Sequence, residues 1–341
     1  MRNVPEFWKA TLGDVEHMAK GVKKGQTEVI CISAGGRPVY RIFYGIKNEL
    51  SRTANLNSAL GAGDITCYAN KSSADYRPTL FLTGCIHGGE FEGTVAILNL
   101  INILETGVDL GGNKHPKLKE LTDFVTLVLI PCANPDGRSR IPFGSFVGKK
   151  FKELRYYNQG TWKDGSLCNW PDCKKIHPIK DAVDYLGGYF NDDGINLMQD
   201  DFFGDKSAEV AAILKTTDEF APDFSVLLHG GAETVNCFFR LDYVSKKVIR
   251  KIREFEDILA QRCFSEGLNF KKNSRNWEQE SEFSSFNLTS AMHHVCGEPC
   301  IVYETNQGLI DEGDPLMHEE IYKHHILLFE ELCAFIIKNK R

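Results

Sequence analysis

The chain has 341 residues, of which 42% are hydrophobic and 25% charged, with a formal net charge of −6. That balance is ordinary for a globular protein, and without a long basic stretch it argues against a nucleic-acid partner. No window reaches the roughly 18 apolar residues of a membrane span, so no membrane partner is expected.

In chain order, residues 1–8 contain no apolar signal core, so no secretory signal is expected there. Residues 7–24 place Phe7, Leu12, Val15, Met18 and Ala19 near one helical face. Two strand-like runs follow at 28–32 and 39–44, and Gly35-Gly36-Arg37-Pro38 between them predicts a hairpin turn. A third strand is expected at 65–70 and a fourth, buried, at 79–83. Residues 92–104 carry apolar side chains at helical spacing. Residues 124–130 form another buried strand, which stops at Asn134-Pro135-Asp136-Gly137.

Residues 138–204 are rich in Gly, Asp, Tyr, Trp and Lys and show little periodicity; so long an irregular stretch is usually functional. Beyond it come a helix at 208–214, a strand at 223–229 ending on His229, and a helix at 247–266. A strand at 299–304 ends on Glu304, and an amphipathic helix spans 317–337. Alternating strands and helices predict an α/β fold: a mixed, mostly parallel, twisted sheet of about eight strands flanked by helices. No linker or repeat divides residues 1–341, so one domain is expected, with residues 1–70 as an N-terminal helix plus hairpin edge. Eleven cysteines are scattered, and Cys31, Cys132, Cys237 and Cys300 sit in apolar runs. This fits reduced, buried thiols in a cytoplasmic protein better than a disulfide framework.

Four residues carry the chemistry after the 79–83 strand: His87, Gly88, Gly89 and Glu90. A histidine and a carboxylate three residues apart share one face of a turn, and both donors suit Zn²⁺. One pair cannot hold the ion, and His229 at the end of a later strand supplies a third ligand. Sites in open α/β sheets form at the carboxyl ends of strands. Two histidines and one carboxylate leave a zinc position open for water, whose pKa falls from 15.7 to about 7. An unligated carboxylate must then take the proton, and Glu304 is the candidate.

With these residues in place, the chain resembles the zinc carboxypeptidase family. His87-Gly88-Gly89-Glu90 is similar to the family's His-x-x-Glu motif, and Asn134-Pro135-Asp136-Gly137 matches its Asn-Pro-Asp-Gly turn. His229 matches the third ligand, and Glu304 the general base on a late strand. The resemblance spans roughly residues 77–308 and keeps order and spacing. It implies one zinc ion, a sheet of about eight strands between helices, hydrolysis of a peptide or amide substrate, and an arginine that stabilises the oxyanion. Arg140 is favoured for that role, with Arg138 and Arg155 behind it.

The resemblance also fails at specific positions. The family binds the substrate's C-terminal carboxylate with the arginine of an Asn-Arg pair. In this chain the corresponding segment is Gly194-Ile195-Asn196-Leu197-Met198-Gln199-Asp200-Asp201-Phe202, which puts Met198 and Gln199 at the pair. Neither neutralises a carboxylate, and Asp200 and Asp201 repel one. Met198, Gln199 and Asp200 are the expected substrate-binding positions, and Arg240 is the candidate replacement cation. No tyrosine in 285–290 matches the family's mobile one.

Blander readings compete. A lone histidine after a strand is usually a core residue, and Asn134-Pro135-Asp136-Gly137 alone is a turn signal. Cys168, Cys173 and His177 fit no common structural zinc spacing. Three functions follow: a zinc peptidase of carboxypeptidase type; an amidase, deacylase or specialised peptidase that needs no free carboxylate; or a zinc-retaining binding module without catalysis.

Overall fold

The structure, a computed structural model, describes residues 4–232, 236–238, 244–272 and 285–340. Helix α1 (Leu12–Gly21) opens on a capping box: Thr11 Oγ1 accepts from Asp14 N, and Asp14 Oδ2 accepts from Thr11 N. It begins five residues later than the apolar spacing predicts. The segment before it is tied elsewhere, with Trp8 Nε1 donating to Gly144 O at 2.7 Å.

Strands β1 (Gln26–Ile32) and β2 (Pro38–Tyr44) form the expected antiparallel hairpin. Ser33 N donates to Arg37 O across the turn, and Gly36 takes φ +78°, which favours glycine. Helix α2 (Leu56–Gly61) follows. The strand expected at 65–70 is instead a single helical turn, Ile65–Cys67. Asp64 caps it by accepting from Thr66 N and Oγ1, so local hydrogen bonds replace a ladder.

Then come β3 (Thr79–Gly84), α3 (Glu92–Thr106), α4 (Pro116–Thr122), β4 (Thr126–Ile130), α5 (Pro135–Ser139) and α6 (Phe151–Leu154). The irregular 138–204 stretch contains a small ribbon of β5 (Gly160–Trp162) and β6 (Val183–Leu186). It also has its own apolar cluster of Cys168, Cys173, Ile179, Val183 and Phe190. The chain finishes with α7 (Ala208–Phe220), β7 (Phe224–Gly231), β8 (Asn236–Phe238), α8 (Lys246–Ser265), α9 (Leu288–Cys296), β9 (Cys300–Asn306) and α10 (His318–Lys338).

The main sheet runs β1-β2-β4-β3-β7-β9-β8. Its middle four strands are parallel and the flanking pairs antiparallel, a mixed α/β sheet with seven strands among the described residues. The middle strands are buried because helices cover both faces, as their unbroken apolar runs require. Phe224 of β7 meets Phe255 of α8 and Phe335 of α10 on one face, and Tyr303 of β9 meets His325 of α10 there. Cys300 of β9 meets Met292 of α9 on the other. Side chains alternate along a strand, so His229 and Glu304, partners across β7 and β9, both face the α9 side. No helix among the described residues is long and apolar enough to cross a membrane.

Asp136 joins the hairpin to this frame. Its fully buried carboxylate accepts from Ser33 Oγ (2.6 Å), Gly35 N (2.9 Å), Arg37 Nη1 (2.9 Å) and Asp192 N (3.1 Å). Asp136→Ala strands these four donors, one of them charged. Urea unfolding should show about 2–4 kcal/mol less stability; a loss below about 0.5 kcal/mol would show that the hairpin is held by other contacts.

Candidate metal centre

Parallel β3 ends at Gly84, where any Cβ would sit 2.9 Å from Gly93 C and Thr94 N. That contact brings the start of α3 against the strand end, and the short connection between them carries the His87 tetrad. Glu90 N donates to His87 O, so the tetrad is a turn. Its glycines are dictated by packing. A Cβ on Gly88 would lie 2.0 Å from Gly137 C, and one on Gly89 would lie 2.3 Å from Asn158 Oδ1. Asn134 accepts from Gly137 N at the start of α5, while its own amide donates to Ile86 O and Gly188 O at 3.3 Å. The Asn134-Pro135-Asp136-Gly137 segment is therefore the seat of the tetrad as well as a turn.

The structure brings His87, Glu90 and His229 together. Their donor atoms lie within 4.8 Å of one another and all three residues are buried, the one such group among the described residues. His87 Nδ1 is 2.8 Å from Glu90 Oε1, and His229 Nδ1 is 2.8 Å from Glu90 Oε2. The two rings meet edge to face at 76°. Glu90 Oε2 makes no aligned hydrogen bond despite that close nitrogen. Buried donors that converge on shared space, with Glu90 Oε2 left without a hydrogen bond, suit a cation between them, and two imidazole nitrogens with a carboxylate suit Zn²⁺.

Burial opposes the charge on Glu90, but the His87 and His229 rings outweigh it and hold the carboxyl down to about 2. Burial drives His87 below its ordinary value despite Glu90. Burial also acts to lower His229, but Glu90 and then Glu304 overcome it, leaving the imidazole above its ordinary value.

Glu304 stands beside His229 in the β7–β9 register. A Cβ on Gly231 would lie 2.1 Å from Glu304 Oε1, so the glycine leaves the carboxylate its space. Gly230 does the same for Glu92, whose Oε2 would lie 2.3 Å from a Cβ there. Glu92 is pushed up to about 8, mainly by burial, and Gln307 Nε2 donates to it at 3.3 Å and to Gly89 O at 2.9 Å.

Sequence reasoning missed three further residues, all from the irregular stretch. Tyr189 stacks on His87 with ring centres 3.9 Å apart, and its hydroxyl pKa is raised by burial and by Glu90 and Glu304. Asn196 Oδ1 lies 3.2 Å from His87 Nε2, which fixes the ring's far side. His177 Nε2 accepts from Asn196 N at 2.9 Å. The glycine pairs after both His87 and His229 are a signal that was present but unread. Asn196 was also visible, in the segment that carries Met198 and Gln199.

The guanidinium groups of the three candidate arginines have the following partners. Arg138 donates from Nε to Ala10 O, from Nη1 to Ile141 O and from Nη2 to Phe143 O, and covers the Phe91 ring. Arg140 pairs with Asp192 and donates to Phe190 O and Gly187 O. Arg155 donates to Leu167 O and Cys168 O. Each is engaged with main-chain carbonyls, and Arg140 in particular holds the loop that carries Tyr189. Met198 packs in the core. Asp200 is a structural acceptor, bound to Ser207 N, Ser207 Oγ and Asp201 N. Gln199 lines a cleft beside the site. Arg240 lies outside the described residues.

A model of the zinc carboxypeptidase family matches residues 18–294. A metallo-carboxypeptidase from Burkholderia cenocepacia superposes with a TM-score of 0.60 at 13% identity, over 96% of this chain and 68% of that one. One from Pseudomonas aeruginosa, in complex with (2-guanidinoethylmercapto)succinic acid, gives 0.57 at 14% identity over 96% and 68%. Carboxypeptidase A from Helicoverpa armigera gives 0.55 at 12% identity over 99% and 75%. Identities this low establish the fold alone. No curated protein matches the chain in sequence.

A carboxyl held near 2, against an ordinary 4.5, adds stability that is complete above 4.5 and is lost as pH falls toward 2. In chelator-treated protein, Glu90→Gln should flatten the fall of the urea midpoint across that window; an unaltered slope would mean that Glu90 is not ionised between the two rings.

Proposed function

The chain belongs to the zinc carboxypeptidase family, and we propose that it hydrolyses a peptide or amide bond, with one zinc ion held by His87, Glu90 and His229 and with Glu304 as general base. The observation that carries this reading is the convergence of three buried donor atoms within 4.8 Å, with Glu304 beside His229 in register. Zinc, when bound, supplies a Lewis acid that brings the pKa of water toward about 7.

The chain's own residues do the rest. His87 and His229 present Nδ1 inward, and Asn196 keeps the His87 ring in that orientation from its Nε2 side. Glu304 takes the proton from the attacking water and passes it to the leaving nitrogen. Tyr189 covers the His87 face and helps to keep bulk water from the ligands. Arg140 acts as a positioning residue through the 187–192 loop, and Arg138 as a clamp on the N-terminal segment. The scattered cysteines support a reducing, cytoplasmic setting.

A second reading, an amidase or deacylase that needs no free carboxylate, is favoured by Gln199, an uncharged group at the position of the family's arginine. A non-catalytic module is disfavoured by Glu304, because metal binding alone needs no general base.

Purified protein reconstituted with zinc should bind about one equivalent and hydrolyse a peptide or amide. Glu304→Gln should keep that metal and lose about 10²–10⁴-fold in kcat/KM; undiminished hydrolysis would rule Glu304 out. Gly231→Ala should also keep zinc while lowering kcat, since its Cβ would displace Glu304 Oε1; an unchanged kcat would show that this carboxylate position is not the reactive one.

A further inference from the structure

The main chain between His87 and Glu90 is held from two directions. Gly89 N donates to Asn158 Oδ1 at 3.0 Å, and Gly89 O accepts from Gln307 Nε2 at 2.9 Å. Asn158 belongs to the irregular stretch. Gln307 arrives from the other side of the sheet, one residue beyond β9 and three after Glu304.

Gln307 reaches the tetrad across β7. That strand stands between β3 and β9 in the sheet, so a side chain from the end of β9 must pass over the end of β7 to meet the turn after β3. It passes at Gly230. A Cβ there would lie 2.9 Å from Gln307 Cγ, 3.0 Å from Gln307 Nε2 and 2.3 Å from Glu92 Oε2. The residue after His229 is therefore bare because this crossing fills its side-chain space.

Both ends of the crossing are anchored. Gln307 N donates to Gly231 O at 2.9 Å, and Thr305 Oγ1 donates to His229 O at 3.4 Å. On the far side Nε2 also donates to Glu92 Oε2 at 3.3 Å, in the first turn of α3. One amide group thus joins the end of β9, the end of β7, the tetrad and the start of α3.

The other half of that amide is left over. Gln307 is fully buried, and its Oε1 has no hydrogen-bond partner among the described residues. A buried acceptor without a donor lowers stability, so stability alone does not account for a glutamine here. Its donor end does, because an apolar side chain of the same length would release Gly89 O.

We infer that Gln307 is a positioning residue for the metal centre: its side chain straps the turn that carries His87 and Glu90 to the strand ends that carry His229 and Glu304. It acts through the Gly89 main chain. The inference rests on the zinc reading above and deepens it, by naming what keeps two ligands from one turn in step with a ligand and a base from two other strands. Groups that hold metal ligands from outside typically change metal affinity by about 10- to 100-fold when removed.

Zinc affinity, read by competition with a chromophoric chelator, is independent of hydrolysis. Gln307→Met keeps the length and removes the donor, and should weaken zinc binding about 10- to 100-fold. Gly230→Ala puts a Cβ into the crossing and should weaken zinc binding with Gln307 itself intact. Phe335→Leu changes the core against Phe224, at the opposite end of β7 from His229. It should lower the urea midpoint yet leave zinc affinity unchanged. Unchanged affinity in Gln307→Met or Gly230→Ala, or an equal loss in Phe335→Leu, would overturn the proposal. An unmodified protein that binds no zinc would overturn it together with the peptidase reading. If zinc binds with this dependence on Gln307 but nothing is hydrolysed, the peptidase reading alone fails and the strap stands.

Discussion

The structure turns on one buried carboxylate. Glu90 is ionised where burial alone would keep it neutral, because two imidazoles face its two oxygens at 2.8 Å. A buried charge is tolerable only with its partners in place. His87 comes from the same turn, but His229 arrives from a strand 139 positions later in the chain. Holding the three together fixes the register of β3 against β7 and the packing of the tetrad on Asn134 and Gly137. It also sets the charge state that a metal would replace. Glu90 and then Glu304 hold His229 above its ordinary pKa against burial, so a metal would compete with a proton for the same donor.

Elements with a continuous physical signature were readable from the sequence. The runs that became β3, β4, β7 and β9 are apolar along most of their length on both faces, which is the signature of strands buried between helices, and the polar residues at their ends were placed with them. His87, Glu90, His229 and Glu304 were legible for that reason. The 65–70 segment misled because a short apolar-looking run carries no information about Asp64, whose side chain closes a helical turn at a lower entropy cost than a distant strand partner would require.

Side-chain direction was not readable where periodicity is absent. Arg138 and Arg140 follow the Asn134-Pro135-Asp136-Gly137 segment closely, which made them natural candidates for a substrate carbonyl. The short α5 helix instead turns Arg138 back onto Ala10, Ile141 and Phe143, while Arg140 reaches across to the 187–192 loop. A guanidinium with donors in several directions is as well suited to tying irregular main chain as to binding an oxyanion. The choice depends on which unpaired carbonyls lie nearby, and only the fold decides that. Asp200 illustrates the same ambiguity, as a charge that looks exposed in sequence but serves Ser207 and the start of α7.

In the long stretch between α5 and α7, one hydrogen-bond sequence explains why it is so polar. His177 holds the Asn196 main chain, and the Asn196 side chain holds His87. Tyr189 then closes the other side of the same ring. Orientation of a metal ligand and the shape of the neighbouring cleft are therefore made by the same atoms. A group that entered the cleft and pressed on Asn196 or His177 would act on the geometry of His87 as well as on its own affinity. Occupancy of the cleft and ligand alignment become one property of this stretch, and a uniform apolar core could not couple them, because it offers no directional contact to either.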